Sequence, residues 1–459
     1  MIPRGDTPGG APAVDNRRGE HRRRWYLLDN LARLFPPIRS PKYTTLFRVS
    51  AVLSAPVQIN ALHVAQAVTW ERFPEFHVHL RRGVFWHYLE ECAPGLPKPD
   101  NGMPCMEVPR YRGGEPLLTV YVRRRRITVE TTHILTDGTG ALAFLRALLV
   151  AYSVELSGGR GSATAVQIAA EARAAEIPLP GEPPPREELE YASRRYYERR
   201  LPHPQEFSRA WHVDGRRLAT GVYHVTSLAY PTQSLREIAR GFQAGLTDIL
   251  LAVFVKTLAE RYHAASPPRL RRRPIRILIP VNMRPHTGSR TMRNFFVFVM
   301  IELDQRLGRY GLDEIVTKVH HQLRAELDPR SLRRQITRNV RAERNVLIRV
   351  SPVFAKDIVL RVVHRLQGEA VNTASFSNLG AVELPESMGS LVERLEFVPP
   401  PSAVTGVNMT IISYGGTTAV TFGSTRREHD IEQDVAKTLH RLGAQGVLRT
   451  NWRRHAGEI

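Results

Sequence analysis

The stretch Ile127-Thr128-Val129-Glu130-Thr131-Thr132-His133-Ile134-Leu135-Thr136-Asp137-Gly138-Thr139-Gly140 decides how this chain folds. In its first six residues Ile127, Val129 and Thr131 alternate with Thr128, Glu130 and Thr132, the period of two expected of a half-buried strand. After Gly140 the period changes. Ala141, Phe144, Leu145, Leu148 and Leu149 recur at helical spacing, which predicts an apolar-faced helix over 141–152. His133 therefore stands in a polar turn where a strand ends and a helix has yet to begin, a position suited to chemistry.

The turn reads H-x-x-x-D-G, and each position has a use if His133 is to remove a proton from a hydroxyl or amine. An imidazole with an ordinary pKa of ~6.5 can accept a proton from an acceptor and pass it to a departing thiolate. Asp137, four residues on, is better placed to pin the loop by pairing with a cation. Gly138 and Gly140 would permit positive φ and close approach of backbone or substrate. With 17 histidines in the chain, the bare pattern arises by chance in roughly 0.06 of such sequences, so the flanking strand and helix are what give it weight.

At 459 residues and 42% hydrophobic, the chain is long enough for two domain-sized cores. Its two cysteines, Cys92 and Cys105, form neither a disulfide framework nor a thiolate zinc site, which matches a reducing, cytoplasmic compartment. No apolar signal segment opens the chain, and the longest apolar stretches, 141–152 and 249–255, fall short of a membrane span. The net charge is +21, but 59 of the 65 cations are arginines spread over the whole length. Clusters at 22–24, 123–126, 269–273 and 330–349 could meet phosphate. No recognition helix, zinc finger or aromatic ribonucleoprotein pattern accompanies them, so a nucleic-acid partner is disfavoured.

Residues 1–24, rich in Pro, Gly and Arg, read as a disordered basic tail. A first lobe over 25–156 contains a strand at 44–53, a helix at 59–72, hairpins at 76–89 and 117–132, then the histidine turn and its helix. Ser157-Gly-Gly-Arg-Gly-Ser162 and Pro178-Leu-Pro-Gly-Glu-Pro-Pro-Pro185 mark a polar connection over 157–205. A second lobe, 206–459, follows with strands at 221–229, 275–280, 293–300, 373–380, 395–398, 406–413 and 417–422. Its helices fall at 232–242, 248–263 with Thr247 as N-cap, 313–327, 331–344, 352–366 and 431–442. The fold class is α/β, in two halves of similar plan.

Several short motifs lie on these elements: Tyr26-x-Leu-Asp-Asn30 with Phe35-Pro36, Arg72-Phe73-Pro74, Gly83-x-Phe-Trp, Val281-Asn-x-Arg284-Pro285, Arg293-Asn294-Phe295 and Ser377-Asn378-x-Gly380. Together with His133-x-x-x-Asp137-Gly138, they make the chain resemble the alcohol acetyltransferase and condensation-domain branch of the chloramphenicol acetyltransferase-like superfamily, over most of 25–445. The resemblance implies two similar lobes, each a mixed sheet with flanking helices, and an active-site tunnel between them.

The resemblance also implies the roles of the residues. His133 would be the general base, with Asp137 and Gly138 in its motif and Arg284 the ion-pair partner of Asp137. Ser375, Ser377, Asn378 and Asn294 would be candidates for holding the oxyanion or substrate. It implies no permanently bound cofactor. Acyl-CoA or a phosphopantetheine thioester would be the donor, and a small alcohol or amine the acceptor. A condensation or esterification enzyme of secondary or lipid metabolism that draws on a separate acyl carrier protein, and a non-catalytic or nucleic-acid-binding basic protein, stand as alternatives. The Asp-Phe-Gly-Trp-Gly signature of the plant-type enzymes is absent.

Overall fold

The computed structural model describes residues 24–106, 114–197, 208–265, 273–344, 350–364, 368–402 and 404–451. The first half contributes β1 (Trp25–Leu27), β2 (Leu46–Leu53), β3 (Val78–Arg82), β4 (His87–Glu91), β5 (Lys98–Pro99), β6 (Leu118–Arg123) and β7 (Arg126–Thr132). From the second come β8 (His224–Pro231), β9 (Ile275–Asn282), β10 (Phe296–Leu303), β11 (Ala374–Ala381), β12 (Val392–Val398), β13 (Val407–Tyr414), β14 (Thr417–Ser424) and β15 (Val447–Thr450).

Among the described residues these form three sheets, with strand orders β1-β4-β3, β12-β2-β7-β6-β5 and β10-β9-β11-β13-β14-β8-β15. The seven-stranded sheet is mixed: β11 runs parallel to both of its neighbours, β9 and β13. The chain thus has two α/β lobes with separate apolar cores. One exchange ties them together. β12, which lies late in the chain, pairs antiparallel with β2 at the edge of the first lobe's sheet.

The strand leading to His133 is β7, in the middle of that sheet and buried along nearly its whole length. It is not half-buried as its alternation suggested. Its polar face is covered because Arg48 of β2 places Nε 2.5 Å from Glu130 Oε2, and Arg48 Nη1 lies 3.1 Å from Asp100. A buried carboxylate is tolerable only when paired and hydrogen-bonded in this way.

The following helix, Gly138–Leu156, has Ala141, Phe144, Leu145, Leu148 and Leu149 fully buried against the helix Ile59–Arg72 and the sheet. Burial of each large side chain contributes roughly 1.5–3 kcal/mol. At 19 residues this helix is longer than the sequence suggested and apolar enough to cross a membrane. Most of it is buried in the first core.

Other elements depart from expectation in instructive ways. The helix Leu246–Ala265 begins before Thr247, whose hydroxyl is not its cap and instead accepts from Asn378 Nδ2 at 2.9 Å. Val84 and Phe85 belong to a turn between β3 and β4, closed by Gly83 N donating to Trp86 O at 3.0 Å, and not to a strand. Within the connection, Ala163–Ala174 forms a helix with Ile168 and Ala172 in the first core. Of the arginine clusters, Arg125 and Arg126 pair with Glu393 and Glu396. The basic tail as far as residue 23, and the cluster residues 269–272 and 345–349, lie outside the described residues.

Candidate active site

After Thr132 the chain turns sharply: Leu135 N and Thr136 N both donate to Thr132 O, at 2.9 and 3.2 Å. Asp137 then caps the helix Gly138–Leu156, its Oδ1 accepting from Gly140 N at 3.0 Å. This cap satisfies one of the backbone donors that every helix start leaves open.

The loop from His133 to Asp137 is fixed mainly from the other lobe. Thr136 Oγ1 donates to Met292 O at 2.6 Å, Phe295 N donates to Asp137 Oδ2 at 2.9 Å, and Asn294 Nδ2 donates to His133 O at 2.9 Å. Arg284 grips Asp137 with a two-pronged fork, Nη1 to Oδ2 at 2.9 Å and Nη2 to Oδ1 at 3.1 Å. Its three other N–H groups go to Thr291 O, Asn282 Oδ1 and Arg293 O. All five guanidinium donors are therefore used, and Asp137, only 4% exposed, accepts four hydrogen bonds. Neither side chain has capacity left for a substrate, and the arrangement is that of a buried structural pair.

Glycines permit this closeness. A Cβ on Gly138 would lie 2.8 Å from Leu379 Cδ2, and one on Gly140 would lie 2.6 Å from Met292 O. Neither glycine has positive φ. Of the two reasons the sequence offered for them, close approach is the one that applies.

The imidazole of His133 sits among three phenylalanines, stacked on Phe35 with centroids 5.3 Å apart and tilted against Phe47 at 4.6 Å and Phe296 at 5.5 Å. Burial in this apolar box lowers its pKa below the ordinary value. The charge of Asp137, the side chain of Asn294 and the backbone of Thr136 pull the other way. His133 Nδ1 and Asn294 Oδ1 are both buried, and each lacks a hydrogen-bond partner. Asn294 is oriented by its acceptors, since Nδ2 donates both to His133 O and to Asp29 Oδ2, each at 2.9 Å.

Asp29 is the residue to which sequence patterning gave no role of its own, although it lies in the Tyr26-x-Leu-Asp-Asn30 motif. It is 3% exposed, accepts from Ala32 N at 2.8 Å and holds Asn294. Burial pushes its carboxyl up to about 6, against the pull of Ala32, Asn294 and Arg293. The phenylalanine box also had no signal in local periodicity, because Phe35, Phe47 and Phe296 come from distant segments.

The remaining candidates lie on β11. Asn378 is committed, donating to Thr247 and accepting from Gly380 N at 2.7 Å. Ser375 N donates to Asn408 Oδ1 at 2.9 Å, while the hydroxyls of Ser375 and Ser377 make no hydrogen bond with a described residue. Ser377 lies two residues before Leu379, the side chain that Gly138 admits. Among the described residues, no group of three or more His, Cys, Asp or Glu side chains is placed to share a metal ion.

Compared by sequence with protein-family models and with curated proteins, the chain matches none. Solved structures match along nearly its whole length. Polyketide synthase associated protein 5 from Mycobacterium tuberculosis aligns at 15% identity and TM-score 0.55, covering 90% of this chain and 97% of that one. F. graminearum TRI101, solved with coenzyme A and T-2 mycotoxin, aligns at 14% identity and TM-score 0.58, covering 92% and 99%. The first condensation domain of the CDA synthetase aligns at 14% and 0.55, covering 91% and 94%. The fold is the one that these solved structures share. Within this fold, His133 stands at the end of β7 and the Asp137–Arg284 pair joins the two lobes beside it.

Proposed function

We propose that this protein transfers an acyl group from a coenzyme A thioester to the hydroxyl or amine of a small-molecule acceptor, with His133 as general base. The observation that carries this reading is how the bonding in the motif is distributed. Asp137 and Arg284 use all their polar capacity on each other and on backbone, whereas the His133 ring, stacked among phenylalanines, has no such commitment. The similarity of fold to a protein solved with coenzyme A supports the choice of donor.

With the proton on Nδ1, the lone pair is on Nε2. Nε2 takes the proton of the acceptor hydroxyl as its oxygen bonds to the thioester carbonyl carbon, and negative charge moves to the carbonyl oxygen. We assign the Ser377 hydroxyl as donor to that oxygen, with Ser375 behind it on the same face of β11. As the intermediate collapses the C–S bond breaks, and Nε2 returns its proton to the thiolate. A pKa held below 6.5 keeps the ring neutral, and so basic, at pH 7. No resident cofactor is needed, and a cytoplasmic setting supplies the donor.

The test is thiol release and product mass from purified protein given acyl-CoA thioesters of graded length with alcohol and amine panels. Wild type should consume a thioester and His133→Ala should not. Preference for an acyl carrier protein as donor would change the donor and leave the role of His133 in place. No transfer from either donor would overturn the reading, and salt-sensitive binding of nucleic acid in its place would redirect it.

A further inference from the structure

The helix Val353–Val363 is turned inside out. Two of its three charged residues face the protein: Lys356 Nζ donates to Phe85 O at 2.9 Å and lies 3.5 Å from the centre of the Trp86 ring, and Asp357 Oδ2 sits 3.6 Å from Arg82 and 3.8 Å from His87. Both are buried. Its apolar residues face out, with Phe354, Ile358, Val359, Val362 and Val363 each between 45% and 60% exposed. Positions 354, 358 and 362 form one stripe and 359 and 363 the next, so the outer face is continuous.

The turn beside this helix enlarges the face. Val353 N donates to Val84 O at 2.8 Å, and Val84 and Phe85 are 71% and 49% exposed. Leu34 is exposed as well, immediately before Phe35, whose ring stacks on His133. Water at so much contiguous hydrocarbon is unfavourable, and a face of this kind on a folded chain marks a contact with something apolar.

The rim identifies the partner. Arg361 is exposed, with Nε donating to Pro37 O at 2.7 Å. Arg82 is half exposed, Arg33 lies over the Trp86 ring, and exposed Lys42 adjoins Tyr43, whose ring packs on His364 at the helix end. The acid that meets these cations, Asp357, is buried and paired. An apolar face without hydrogen-bonding side chains, ringed by cations on a chain of net charge +21, suits lipid tails beneath anionic headgroups. A protein partner would ordinarily exchange hydrogen bonds across such an area.

We propose that this face lies on the surface of an anionic bilayer, with the stripe 354-358-362 immersed at the headgroup boundary and Arg361, Arg82 and Lys42 against the phosphates. The inference is independent of the reaction assigned to His133.

The test is flotation of the full-length protein with vesicles of phosphatidylcholine alone and of phosphatidylcholine mixed with phosphatidylglycerol. Wild type should float with the anionic vesicles. The double substitution Ile358→Glu/Val362→Glu, on exposed positions where the melting temperature should be unchanged, should lower binding by more than about tenfold, and Arg361→Gln should lower it partially. Wild type left unbound by both vesicle types would overturn the proposal. So would a double variant that binds as well as wild type, because the charge elsewhere would then suffice. A wild-type dimer that the double variant converts to monomer would assign the face to a second copy of the chain and equally refute it.

Discussion

Replacing Asp137 by alanine should destabilise the protein and disable it at once, for reasons that can be apportioned. The substitution leaves Arg284 Nη1 and Nη2 short of their carboxylate and orphans Phe295 N and Gly140 N. Breaking a buried charge pair from one side costs about 3–5 kcal/mol, most of it from the unpaired charge left behind. Loss of the helix cap is included in that figure and alone amounts to about 0.5–2 kcal/mol. Arg284→Ala removes the same fork from the other side, leaving Asp137 with two backbone donors. Since each single change already forfeits the shared interaction, the double variant should lose less than the sum, by about 1–3 kcal/mol. The assay is denaturant unfolding of all four proteins, followed by tryptophan fluorescence and by circular dichroism, with kcat/KM measured on the same samples. Additive losses within about 0.5 kcal/mol would show that the pair is uncoupled and that the loop is held by other means.

His133→Ala should leave folding intact and cut kcat by about 10²–10⁴-fold, and for wild type the acid limb of kcat/KM should titrate below the ordinary histidine pKa of 6.5 because burial in the phenylalanine box disfavours the charged ring. Gly140→Ala would stabilise an ordinary helix by about 0.5–1 kcal/mol. Here its methyl meets the Met292 carbonyl and the Thr136 side chain, so both the melting temperature and activity should fall. Asp29→Ala should lower kcat more than it raises KM by releasing Asn294 from the His133 carbonyl, with retention of activity in Asp29→Asn pointing to hydrogen bonding and not charge. Glu75 is raised to about 7, chiefly by burial. A raised acid favours the folded state while protonated, so its contribution is full below about 4.5 and is lost as pH rises through about 7. Glu75→Gln should therefore flatten the stability profile across that window, by up to about 3 kcal/mol, and an unchanged profile in chemical denaturation would refute the assignment.

Local order was legible in the sequence because it depends on neighbours within a turn or two. The change of period at Gly140 located the end of β7, the start of the helix and His133 between them, and the helix Ile59–Arg72 and the two strands of the hairpin before His133 were legible for the same reason. Arg284 as the partner of Asp137 came from the resemblance alone, since no local pattern links residues 147 apart. The tertiary structure decided the rest. β12 crosses into the first lobe's sheet, Asp29 reaches Asn294 across 265 residues of chain, three phenylalanines from separate segments enclose His133, and the helix Val353–Val363 presents its apolar face outward. A hydrophobic pattern states which side of an element is apolar. What covers that side is settled only when distant segments pack, and this is why the position of His133 between strand and helix could be read from the chain and its environment could not.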